Sequence, residues 1–280
     1  MKRIGNYHTH MYLCKHAIGT IEDYTKKAIS LGYKYLGMSD HGPISDELTT
    51  LLHSRRMSED EYENIYLKEL EKIKQKHKDK IILYKSVEIE FYPHFMDKYL
   101  KMKNELDYIV LGQHEIFHKG IYKNVYNPTF KEDDAQIYKE TVIQALKTGL
   151  FKILAHPDIY LIHIKKYSDI CKSITQEILQ CALETDTVIE INANGIRNVK
   201  MKNQDYLDES LYAYPRPEFW EQVKEFQYKN PGLKVIISDD AHSYEYLSDD
   251  CTQVAYAFAK KHDITIIEEI EKPFYKNPNE

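Results

Sequence analysis

Three of the thirteen histidines in this 280-residue chain fall within residues 6–16, "NYHTHMYLCKH". In an extended strand side chains alternate faces, so His8 and His10 point the same way with Cβ atoms roughly 6–7 Å apart. Two neutral imidazoles on one face can chelate one ion, yet H-x-H alone is a weak motif. Its meaning depends on what else could complete a site. Further candidates recur along the chain wherever a short apolar run ends: Asp40 and His41, Glu88, His114, His156, then Asp240 and His242. His16 follows in the first loop.

Those apolar runs alternate with longer amphipathic stretches, the pattern of βα units around a mostly parallel sheet. Strands are expected at "RIGNYH", "YKYLGMSD", "KIILYKSVEIE", "LDYIVLGQ", "FKILAH", "DTVIEINA" and "LKVIISD". Helices are expected at "TIEDYTKKAISLG", "SEDEYENIYLKELEKIKQKHK", "KEDDAQIYKETVIQALKTG", "SITQEILQCALE" and "PEFWEQVKEFQYK". In the first of these Thr20 is the expected N-cap and Gly32 the stop. Seven such units suggest a barrel related to the eight-fold one, whose sites lie at the C-terminal strand ends. Residues from 8 to 242 would then converge on one rim.

Composition narrows the function classes. The absence of Gly/Ser- or Pro-rich linkers favours one domain over residues 1–280. The apolar runs are too short to span a bilayer and the N-terminus lacks the apolar segment of a signal peptide, so no membrane association and a cytoplasmic location are expected. Cys14, Cys171, Cys181 and Cys251 show no C-x-x-C pairing and read as reduced thiols, with Cys14 a buried apolar residue rather than a ligand. A net charge of −6 argues against nucleic acid as a partner. Arginine is scarce, at five of 38 basic residues, so each one near a motif is a candidate for bidentate phosphate contact. "HEIFH" at 114–118 matches the H-E-x-x-H zinc-peptidase pattern, but it follows a β-type run and meets Gly120, where the peptidase needs a long helix. The remaining His53, His77, His94, His163 and His262 read as surface or incidental residues.

With H-x-H, S-D-H and D-x-H in this order, the chain resembles the PHP superfamily, named for polymerase and histidinol phosphatase. "SVEIEFYP", "LGQH", "AHPD", "IEINANGIR", "YPRPEF" and "ISDDAH" extend the likeness, and it is strongest to the histidinol-phosphate phosphatase branch. The resemblance implies a distorted (β/α)7 TIM-like barrel of the PHP fold holding three divalent transition-metal ions, Zn, Fe or Mn. One ion would be held by His8, His10, Glu88 and Asp240, a second by Glu88, His114 and His156, and a third by His16, His41 and His242. It further implies a metal-bridging hydroxide held by Glu88 and Asp240, with no side chain assigned as general acid. Asp240 is preferred to Asp239 because D-x-H puts it on one side of an extended segment with His242. Asp40 and Asp158 would orient imidazoles. Arg197 in "NANGIR" would bind the substrate phosphate, with Arg216 a weaker second candidate.

The implied reaction is hydrolysis of a small phosphate ester, L-histidinol phosphate to L-histidinol and phosphate, in histidine biosynthesis. The same metal cluster could instead serve a phosphotyrosine protein, a nucleotide or a phosphodiester, or belong to a non-catalytic metal-binding module. Gly112 and Gln113 before His114, and Met11 in the first loop, depart from the branch's pattern without touching the implied ligands.

Overall fold

The computed structural model describes residues 3–271 and Tyr275. Its strands are β1 (Gly5–Asn6), β2 (Tyr35–Met38), β3 (Ile82–Lys85), β4 (Glu88–Ile89), β5 (Val110–Leu111), β6 (Glu115–His118), β7 (Ile121–Asn124), β8 (Ile153–Leu154), β9 (Val188–Asn192) and β10 (Val235–Ser238). All but β6 and β7 run parallel, in two sheets ordered β1-β2-β3 and β10-β9-β8-β5-β4. Isolated bridges Thr9↔Ala241 and His41↔Glu88 join the sheets at their C-terminal ends. The result is a closed but distorted seven-unit barrel, with β3 and β4 sharing one position.

The stretch "KIILYKSVEIE" therefore breaks where one continuous strand was expected. β3 pairs with β2 while β4 pairs with β5, and the ladder lapses between them. Tyr66, fully buried on a π-helical turn (Tyr62–Tyr66), donates into that gap to the carbonyls of Met38 (2.9 Å) and Ser86 (2.7 Å). The Met38 carbonyl also accepts from the Ser86 amide (2.9 Å), so the hydroxyl's proton matters most for the Ser86 carbonyl, which left unpaired would cost about 1–3 kcal/mol.

Period-2 alternation sets what fills the barrel. Tyr35, Val110, Ile153, Val188 and Ile236 face inward with Tyr7, Tyr84 and Tyr108, and plug its lower half. Leu36, Leu111, Leu154, Ile189 and Ile237 face outward against the helices. The helix Ile21–Leu31 starts at a Thr20 capping box closed by Asp23 and stops at Gly32 in the left-handed conformation, as its capping residues dictate.

Other elements differ from expectation. The helix expected from Ser173 starts earlier, with Ser168 capping Asp169–Glu184. The stretch after β9 is not a loop: Asn192 accepts from the Asn194 amide and starts the helix Ala193–Met201. β6 and β7 form an antiparallel hairpin turning on Lys119 and Gly120, both at positive φ, as a two-residue turn requires. Helices Asp46–Leu51, Met96–Glu105 and Asp250–Lys261 were also not anticipated. No helix among the described residues is long and apolar enough to cross a membrane.

Candidate metal centre

At the C-terminal rim the nine candidate ligands come together, all but the fully buried His8 and His10 lining one cavity of about 720 Å³. His10 Nε2 lies 3.0 Å from His8 Nε2 and 3.0 Å from Asp240 Oδ1. Glu88 stands between two groups: Oε1 is 2.9 Å from His156 Nε2, while Oε2 is 3.1 Å from His41 Nδ1 and 3.4 Å from His10 Nε2. His16 Nε2 and His242 Nε2 are 3.1 Å apart. Ligand atoms of His8, His10 and Glu88, of Glu88, His114 and His156, and of His10, His41 and His242 each fall within 4.8 Å of one another. Two candidate ligands, His156 (φ 32°) and Asp240 (φ 45°), occupy left-handed backbone that non-glycine residues rarely adopt, so strain collects at this rim.

The proton positions test whether these residues suit metal ions. His8 Nδ1 donates to Glu190 (2.8 Å), His114 Nδ1 to Glu90 (2.9 Å), His16 Nδ1 to the Cys14 carbonyl (2.7 Å) and His242 Nδ1 to the Asp240 carbonyl (3.2 Å). Each of these acceptors fixes the proton on Nδ1 and leaves Nε2 a lone pair aimed into the cluster. His16 and His242 thus face each other lone pair to lone pair, an arrangement that needs a cation between or beside them. Asp240 Oδ1 is buried with no hydrogen bond of its own. The donor set of imidazoles and carboxylates fits Zn, Fe or Mn.

Electrostatics agree. Burial opposes ionisation of Glu88, but the imidazoles of His8, His41 and His156 packed around it hold its carboxyl well below the usual range, and His8 does the same for Asp240. Burial lowers His10, yet the adjacent carboxylates of Asp240 and Asp40 lift it to about 9, whereas burial and His10 together push His242 down to about 3. Divalent ions held here would neutralise the two buried carboxylates.

The surrounding shell was only partly anticipated. Asp40 lies 3.5 Å from His10 Nδ1 without hydrogen-bonding it and accepts instead from the Cys14 and His41 amides (3.1 and 2.9 Å). Asp158 does not orient an imidazole; it accepts from the Arg216 amide (2.6 Å) and Trp220 Nε1 (3.1 Å), fixing the start of the helix Pro217–Lys229. The orienting carboxylates are instead Glu190 and Glu90, which sequence reasoning missed. The available signal was the alternation in "VEIEF" and "VIEIN", which turns Glu88, Glu90 and Glu190 inward from apolar strands. Gly112 is explained by Glu88, since a Cβ there would stand 1.9 Å from Oε1. Met11 is fully buried in the core. Cys14 is buried, its thiol donating to the Met11 carbonyl, and burial with the Asp40 charge raises its pKa.

Asp240 turns into the cluster while Asp239 turns outward to pair with Arg3 and accept from Thr252 (2.6 Å). His118 leaves the site to meet Asp134 (2.9 Å), and "EIFH" is strand β6, so the two histidines of the peptidase pattern share no helix face. Of the histidines read as incidental, His53 lines the cavity rim.

Arg197 requires a correction. It is 2% exposed and its guanidinium is taken up by Asp249 (2.9 and 3.1 Å), the Asp239 carbonyl (3.0 Å) and Asn194 (3.3 Å), so it is not on the cavity wall. Because it sits on a helix rather than in a loop, its side chain ties Ala193–Met201 to Asp250–Lys261. Arg197→Ala is expected to destabilise the fold by about 3–5 kcal/mol in urea unfolding by stranding Asp249; unchanged stability would contradict this role. Arg216 pairs with Glu218 (2.8 Å) away from the cavity. Arg55 and Arg56 do line it. Arg56 is bound to Glu90 (2.8 Å), whereas Arg55 is exposed and has no ion-pair partner among the described residues.

Comparison with known proteins matches this geometry to a family. The PHP domain profile matches residues 6–194, more than half of the chain, and the chain belongs to the PHP domain family. A protein of Deinococcus radiodurans named probable histidinol-phosphatase is 23% identical over 253 residues, covering 86% of this chain and 87% of that one. The crystal structure of histidinol phosphate phosphatase from Lactococcus lactis, complexed with Zn, L-histidinol and phosphate, superposes with TM-score 0.67 at 17% identity, covering 97% of this chain and 99% of that one. The structure of the histidinol phosphatase homologue from Listeria monocytogenes gives TM-score 0.66 at 16% identity over 89% and 99%. Both show a shared fold.

Proposed function

We propose that the chain is a metal-dependent phosphomonoesterase that hydrolyses L-histidinol phosphate to L-histidinol and phosphate. The observation that carries this reading is the set of imidazole Nε2 lone pairs converging on Glu88 and Asp240 at the floor of an open cavity. The named relatives supply the substrate. Bound divalent ions lower the pKa of water toward neutrality and neutralise phosphoryl oxygens, so attack on phosphorus needs no side-chain nucleophile.

The chain's own residues would divide the remaining work. Glu88, with one oxygen toward His114 and His156 and the other toward His10 and His41, is placed to bridge two ions. Together with Glu88, His8, His10 and Asp240 would hold the first of these ions and His114 and His156 the second; His16, His41 and His242 would hold a third. The carboxylates Glu190 and Glu90 keep His8 and His114 in the ligating tautomer. Arg55 takes the phosphate contact expected of Arg197, because its guanidinium is the one on the cavity wall left without a partner.

Phosphate release from L-histidinol phosphate, beside phosphotyrosine, nucleotide and phosphodiester substrates, tests the reading on metal-loaded protein. Preference for histidinol phosphate is expected, and inactivity on every ester with metal bound would overturn it. Arg55→Ala is expected to lower kcat/KM by about 2 kcal/mol, roughly 30-fold, with metal content unchanged. Wild-type kinetics in that variant would remove Arg55 from the site.

A further inference from the structure

We infer that Ser54 is a phosphoryl contact of this site, its hydroxyl compelled to donate into the cavity by the buried guanidinium of Arg56. The inference rests on the reading of the site as a phosphatase and assigns it a substrate-binding residue beside Arg55.

Local structure brings these residues to the wall. The helix Asp46–Leu51 ends in a closed turn, in which the His53 amide donates to the Thr50 carbonyl (3.2 Å) and the Ser54 amide to the Thr49 carbonyl (3.0 Å). This pair of bonds is the Schellman arrangement, and His53 takes the left-handed conformation that it requires (φ 49°). The chain thus reverses on a fixed turn, and His53, Ser54, Arg55 and Arg56 all line the cavity.

A count of protons and lone pairs then decides what Ser54 can do. A serine hydroxyl has one proton to donate and two lone pairs to accept with. Both lone pairs of Ser54 Oγ are taken, by Arg56 Nε (2.9 Å) and Nη2 (2.7 Å). No acceptor for its proton is found among the described residues, and the side chain is only half-buried, so the proton is left to whatever occupies the cavity. Arg56 cannot serve a ligand itself. It is 5% exposed, and its Nη1 is held by Glu90 (2.8 Å) and the Gly42 carbonyl (3.1 Å). Arg56 is the positioning residue and Ser54 makes the contact.

Holding Arg56 alone does not call for a hydroxyl, since an amide carbonyl offers two lone pairs and no proton. What serine adds is a donor, polarised by the cation behind it. Arg55, the next residue, has no ion-pair partner among the described residues. A hydroxyl proton and an unpaired guanidinium on successive residues suit an anion with several oxygens, and the phosphoryl group is that anion.

Calorimetric titration of inorganic phosphate into metal-loaded protein tests the inference. Ser54→Ala should weaken phosphate binding roughly 10- to 100-fold, and Ser54→Thr, which keeps the hydroxyl, should recover most of the loss. Arg56→Lys keeps a charge opposite Glu90 but gives up the fork on Ser54, so it should lose affinity by a similar factor. The double variant Ser54→Ala/Arg56→Lys should then bind no more weakly than the weaker single variant, a non-additivity that reports positioning through Ser54. Metal content and thermal midpoint of Ser54→Ala, expected to match wild type, report that it folds. Unchanged phosphate affinity in Ser54→Ala, no recovery with threonine, or additive losses would overturn the inference. The two readings fail separately. Wild type that binds phosphate through Ser54 but hydrolyses no ester loses the phosphatase reading and keeps this contact, whereas hydrolysis with wild-type phosphate affinity in Ser54→Ala keeps that reading and loses the contact.

Discussion

Glu88→Gln should remove essentially all phosphate release, a loss of at least about 10³-fold in kcat/KM or roughly 4 kcal/mol, together with most of the bound metal. The size follows from the position of this side chain. Each of its oxygens faces a different imidazole group, and the amide keeps the shape while replacing one anionic oxygen with an NH₂ that repels a cation. No neighbour can substitute, because Gly112 leaves only enough room for the carboxylate itself. His118→Ala, which deletes the second histidine of the peptidase-like pattern, should leave turnover near wild type because that ring faces Asp134. Activity surviving in Glu88→Gln and lost in His118→Ala would mean that the wrong motif has been assigned.

Metal removal should have the second large effect, and it acts on stability as well as on rate. The rim gathers Glu88 and Asp240, held ionised though buried, and imidazoles whose lone pairs face one another. Ions that bind only the folded chain stabilise it by mass action, by about 4 kcal/mol when free metal is a thousandfold above its Kd. For a chain of this size that corresponds to a fall in Tm of roughly 10 °C on chelation. Phosphate release should vanish in the same sample and return on adding Zn or Mn. Equal Tm with and without chelator would show that these side chains satisfy one another without metal.

The ligand cluster was legible in the sequence because its spacing reflects strand geometry. H-x-H, D-x-H and the carboxylate of "VEIE" sit where a pleated strand ends, and period 2 decides which of them turn inward. Asp240 faces the cluster and Asp239 faces Arg3, but from left-handed rather than extended backbone at Asp240, so the alternation invoked for them is not what turns them apart. The same periodicity would have found Glu90 and Glu190 had the acids inside apolar runs been weighed for their inward face.

What stayed hidden depends on partners distant in sequence. Nothing near Arg197 announces Asp249, 52 residues on, which absorbs its charge. Asp158 looked like a companion of His156 and serves the helix that begins 59 residues later. The hairpin that carries Glu115 was not anticipated beyond the strand ending at Gln113, although Lys119 and Gly120 both take the positive φ of a hairpin turn. Arg55 lies in a polar loop whose sequence carries no periodic signal, and only the fold brings it to the cavity.

The central claim is that nine side chains on one barrel rim hold a cluster of ions, and metal stoichiometry tests it most directly. Protein purified without chelator, supplemented with Zn, Fe or Mn and freed of excess metal should carry about three ions per chain by elemental analysis. At most one ion per chain after supplementation would contradict the account.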